Sequence, residues 1–163
     1  MNNLLKPLAL ACMVGFSGLA LADPQDFVEQ AAQSGINEIE SAKLALEKSN
    51  DAEIKQFANT MIEDHRKAND ELNALASQEG LDVPDEASLI AKAKKMLLEM
   101  RDESFDEAYA NNQVMAHENA VELFREEAES SENQKLKAFA QKTLPKLEEH
   151  LKMAKQLQSG TAQ

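Results

Sequence analysis

Tryptophan is absent from this chain of 163 residues, and tyrosine and cysteine occur once each. Only five glycines and four prolines punctuate it. The lone cysteine, Cys12, lies in the N-terminal segment, so the rest of the chain can form neither a disulfide nor a thiolate metal site. With so little glycine there is no phosphate-cradling loop and no nucleophile elbow around a serine. Basic residues are also scarce: 17 against 29 acidic, a net charge of −12. That balance argues against nucleic acid and anionic membrane surfaces as partners, and it permits accumulation of cations.

The N-terminus reads as a targeting segment. Lys6 supplies the positive charge, Leu8 to Leu21 the apolar run, and Ala20-Leu21-Ala22 the small residues that a signal peptidase reads. Cleavage is expected after Ala22, with residues 1–22 as signal peptide and a periplasmic mature protein, outer-membrane association remaining open. A lipoprotein reading on Cys12 is disfavoured, because ten further apolar positions follow it. The 163 residues less these 22 leave 141, with 16 basic and 29 acidic side chains, or −13. The remaining sequence holds no stretch apolar enough for a mature transmembrane segment.

What is abundant is alanine, leucine, glutamate and lysine at helical spacing. The expected helices run from Pro24, capped by Asp23, to Ser49-Asn50; from Asp51 to Gln78, stopped by Gly80; from Asp85 to Arg101; from Ser104, with Glu107 as capping box, to Glu129; and from Glu132 to Gln158, with Pro145 inside. Ser159 to Gln163 is expected to be a disordered tail. Two short echoes, Ile54-Phe57-Ala58 with Leu136-Phe139-Ala140 and Phe27-Glu29-Ala32 with Phe105-Glu107-Ala110, suggest two copies of a helical hairpin. Two short turns and one long connection predict an all-α fold over residues 23–158: a ferritin-like four-helix bundle with a short crossover helix. The crossover stripe Leu89, Ala93, Met96, Leu97, Met100 is expected to lie on the bundle.

The three histidines, His65, His117 and His150, each fall on the apolar stripe of their own helix. Imidazoles on separate helices that face one interior are how bundles build metal sites. Glu38, midway along the first helix and beside Ile39, is the best carboxylate to join them. Met61, one turn before His65, and Met153, three residues after His150, are thioethers within the same reach, although methionines at helical spacing usually fill core. Gln113, Tyr109 and Asn69 are candidates to orient the imidazoles. Asp64 points about 100° away from His65 and reads as surface charge. His150 lies seven residues before Leu157 and off the centre of its helix by about 7 Å if that helix runs from Glu132 to Gln158.

The chain resembles the bacterial domain-of-unknown-function family 4142, exported proteins often labelled as outer-membrane proteins and grouped with ferritin-like folds. The matching residues are Glu38-Ile39, Phe57-Ala58 with Met61 and Asp64-His65, Phe105-Asp106 with Tyr109, Gln113-Val114 and His117, and Leu144-Pro145 with His150-Leu151. The resemblance implies a ferritin-like bundle in the cell envelope and no particular activity. The outer-membrane label fits poorly with a chain lacking barrel strands.

A di-iron centre needs Glu-x-x-His motifs. Here Ile62, Val114 and Leu147 stand three residues before the histidines, so di-iron and ferroxidase chemistry are not expected. Three imidazoles with Glu38 or water suit zinc or copper. Three readings stand at this point: a non-enzymatic metal-binding bundle, a stress-related or structural module whose histidines form a polar packing layer, and a redox enzyme.

Overall fold

The computed structural model describes residues 23–98 and 105–161, with side chains 95–98 and 161 left aside. The expected signal peptide, Ser104 of the expected capping box and Met100 lie outside the described residues. Every regular element in them is a helix: α1 (Pro24–Lys48), α2 (Ala52–Glu79), α3 (Glu86–Leu98), α4 (Phe105–Ser130) and α5 (Gln134–Thr161).

The ends follow local chemistry. Asp23 Oδ1 accepts from the Gln25 amide at 2.9 Å, and Pro24 fills the first helical position, where its missing N–H costs nothing. Asp51 caps α2 by accepting from Glu53 and Ile54. Gly80 ends it at φ 68°, ψ 28°, left-handed geometry that glycine adopts without a Cβ clash. Asn133 accepts from the amides of Lys135 and Leu136 and so opens α5. The C-terminus of α5 departs from expectation. The helix runs through Thr161, so residues 159–161 continue it, with Ser159 Oγ donating back to the Lys155 carbonyl at 2.7 Å. No residue there forbids helical backbone, and Gly160 only weakens it.

α1 pairs with α2 and α4 with α5, each across a short turn; α1 also faces α4, and α2 faces α5. Phe27 at the start of α1 meets Phe124 late in α4, so these helices run antiparallel. Glu79 pairs with Lys135 and Glu71 with Lys142, so α2 and α5 do too. α2 and α4 therefore run parallel on a diagonal, which up-and-down order cannot give. The crossover carrying α3 makes this possible by returning the chain along the bundle. α3 lies on α1, with Leu89 and Ala93 buried as expected.

The core is split in two. One apolar cluster includes Phe27, Ile39, Leu72, Ala120, Phe124, Leu136 and Leu147. The other includes Ala42, Phe57, Met61, Tyr109, Val114, Ala154 and Leu157. Along α2, α4 and α5 the residue between the two clusters is a histidine.

Candidate metal centre

His65 sits at the middle of α2, His117 at the middle of α4, and His150 eleven residues from the end of α5. The longer α5, ending at Thr161, cuts the expected offset of His150 to about 4 Å. All three rings are buried, at 6%, 1% and 1% exposure. Their centroids form a near-equilateral triangle with sides of 5.7, 5.4 and 5.5 Å. One ring nitrogen from each lies within 4.8 Å of the other two.

The atoms left inside are specific. His117 Nδ1 lies 2.9 Å from the Gln113 carbonyl, and His150 Nε2 lies 2.9 Å from Asp64 Oδ2. A carbonyl and a carboxylate only accept, which assigns the proton to those two nitrogens. His117 Nε2 and His150 Nδ1 are then bare lone pairs. Both are buried without a partner, as is His65 Nε2. On neutral rings these three partnerless nitrogens therefore carry at most one proton, that of His65 Nε2. The rings cannot satisfy one another.

Burial pushes the His65 imidazole well below its ordinary pKa, and His117 and His150 push it the same way. Burial also lowers His150, with Asp64 partly restoring it. A low pKa favours the neutral imidazole, the form that donates a lone pair to a metal.

Two expectations are corrected around the ring trio. Asp64 is not surface charge alone: its carboxylate, 25% exposed, binds His150 on the neighbouring helix, with Lys146 Nζ 3.7 Å away on its outer side. Gln113 holds His117 through its backbone carbonyl. Its side chain instead bonds Glu38 and donates to Ser41 Oγ at 3.4 Å. Sequence reasoning missed Asp64 because it tested that residue against His65 on its own helix. Its one available signal was a carboxylate beside a histidine, which says nothing about the helix across.

Glu38 is 3% exposed on α1, with Oε2 unpartnered. It does not join the three converging nitrogens, but it stands near enough to His117 that a proton gained by that ring would lower its pKa. Burial raises its pKa, while His117 and the Gln113 hydrogen bond draw it back. Burial raises the Tyr109 phenol as well, helped by the Glu38 charge; its hydroxyl is buried without a hydrogen-bond partner, so it orients none of the imidazoles. Met61 is fully buried in the apolar cluster beside the site. Asn69 lies against Gly35 and shares a small cavity with His65.

No helix among the described residues is long and apolar enough to cross a membrane. No curated protein and no solved structure matches the chain. Residues 17–157 match the family model of a domain of unknown function, DUF4142, and the chain belongs to that family.

Proposed function

We propose that this protein is an exported, non-enzymatic helical bundle that holds a transition-metal ion, zinc or copper, on His65, His117 and His150, with water or Glu38 completing the shell. The observation that carries this reading is the trio of buried nitrogens with at most one proton among them. Such a cluster is costly in a core unless something electron-poor sits between its members. Nitrogens within 4.8 Å of one another lie at most about 2.8 Å from a common centre, and zinc needs about 2.0–2.1 Å, so a closure of no more than about 0.7 Å per nitrogen completes the bonds. The Gln113 carbonyl and Asp64 are the kind of partners that fix ring tautomers around metals. The ferritin-like arrangement, the 1–22 signal peptide and a periplasmic location belong to the same proposal.

A second reading is favoured by the uncontracted triangle. Its centre also suits a water, which would donate to His117 and His150 and accept from His65. The histidines would then be a polar layer that sets helix register in an interaction module. Dialysis of the purified protein against zinc, copper and iron separately, with bound metal counted, decides between them. Binding near one equivalent that vanishes in His117→Ala supports the metal centre. No binding at micromolar metal, with a stability loss in the same variant, leaves the packing layer. N-terminal sequencing of protein from the periplasmic fraction tests cleavage after Ala22.

A further inference from the structure

We propose that the groove between α1 and α4 is the route by which a metal cation reaches the three imidazoles, with the Glu38 carboxylate as the station between groove and site. This rests on the metal-centre reading above.

Three places bring a cavity or solvent close to the cluster or to the residues around it, and they are unequal. The first is a void of about 20 Å³ that His65 itself lines, with Ser34, Asn69 and Thr143 among apolar residues such as Leu72 and Phe124. It admits no more than a single water, too little room for a cation that still carries part of its hydration shell. The second is the surface at Asp64. There the carboxylate is already engaged by His150, and Lys146 stands over it, which repels a cation.

The third is the groove of about 350 Å³ between α1 and α4. Its polar lining includes Gln30, Gln33, Asn37, Asn112 and Asn119, with no basic side chain, and Glu38 belongs to it. Glu38 is thus the residue that touches both worlds. It lines the groove, its buried Oε2 has no partner, and its side chain bonds Gln113, whose carbonyl lies 2.9 Å from His117 Nδ1 one turn along α4. A cation shedding water in the groove can exchange those waters for amide oxygens, then for the carboxylate, then for His117 Nε2. Oxygen ligands of this kind bind loosely enough to release.

A station differs from a resident ligand in what its removal does. It lowers the barrier in both directions, so Glu38→Gln slows loading and unloading alike and leaves the equilibrium in place. The measurement is stopped-flow zinc binding followed by a metal-indicator dye, with release into excess chelator. The expected result for Glu38→Gln is a fall of about tenfold or more in both rates, with Kd within about threefold of the unchanged protein. A weakened Kd at an unchanged association rate would make Glu38 a resident ligand and overturn the proposal. Unchanged rates would overturn it equally.

A second variant tests the groove without touching Glu38. Asn37→Lys puts a positive charge in the lining and should slow association several-fold at low salt, with the difference shrinking as salt rises. Equal association rates at low salt rule the groove out. If the unchanged protein takes up no zinc, the metal centre itself fails, and that outcome is separate from any rate effect.

Discussion

Asp64 on α2 holds His150 on α5 at 2.9 Å, across 86 residues of sequence. The carboxylate fixes the proton on Nε2, so the ring turns its Nδ1 lone pair toward His65 and His117. Asp64→Asn keeps the shape but lets the amide N–H₂ donate to Nε2, which moves the ring proton to Nδ1 and blocks liganding. Zinc affinity should fall about 10–100-fold, read by competition with a chromophoric chelator. An unchanged affinity would show that the pair is structural only.

His117→Ala should abolish metal-linked stabilisation. For a site at metal concentration 100 times Kd, the native protein gains about 2.7 kcal/mol. Thermal melts with and without zinc should therefore shift in the unchanged protein and coincide in the variant. A zinc-dependent shift that survives in His117→Ala would place the binding elsewhere.

Acid should destabilise the metal-free protein. His65 and His150 are held below their ordinary pKa of 6.5 in the fold. Below pH 6.5 the unfolded chain therefore binds more protons, and stability falls as pH drops from 6.5 toward the folded values. Above 6.5 their contribution is complete. Glu38 works in the opposite sense, since its raised pKa makes the folded state bind a proton more readily above its ordinary 4.5. Urea midpoints between pH 5 and 8, in chelator, should decline on acidification, and less steeply in His65→Asn. Parallel profiles for the two proteins would contradict the assignment.

Gly35→Ala should destabilise, against helix propensity. Alanine normally gains up to about 1 kcal/mol over glycine in a helix. Here its Cβ would stand 2.1 Å from Asn69 Oδ1 and 2.8 Å from its Cγ. Asn69 must move or α1 must withdraw, and overpacking of this kind costs about 1–3 kcal/mol. Asn69→Ala in the same chain should restore most of the loss, measured as a double-mutant cycle in urea. A stabilising Gly35→Ala would mean that Asn69 swings out freely.

The helices were legible because their signals are local. Asp23, Asp51 and Gly80 act within one turn of themselves, and the apolar stripes repeat at the helical period. The end of α5 was misjudged for the same reason: Ser159 and Gly160 look like a stop, but neither prevents three more helical residues. The inward placement of His65, His117 and His150 also follows from periodicity, as does the burial of Glu38.

Periodicity fixes which side of a helix faces inward, and so this chain's sequence determined a two-hairpin bundle with histidines inside it. It does not fix which helix stands opposite or how far one slides along another. Those depend on crossover path and side-chain interlocking between segments tens of residues apart. Tertiary structure alone decided that the three imidazoles share one level and that Asp64 serves His150 rather than His65. It also set Glu38 at the α1–α4 groove, because a residue at the edge of a buried stripe takes its surroundings from the neighbouring helix.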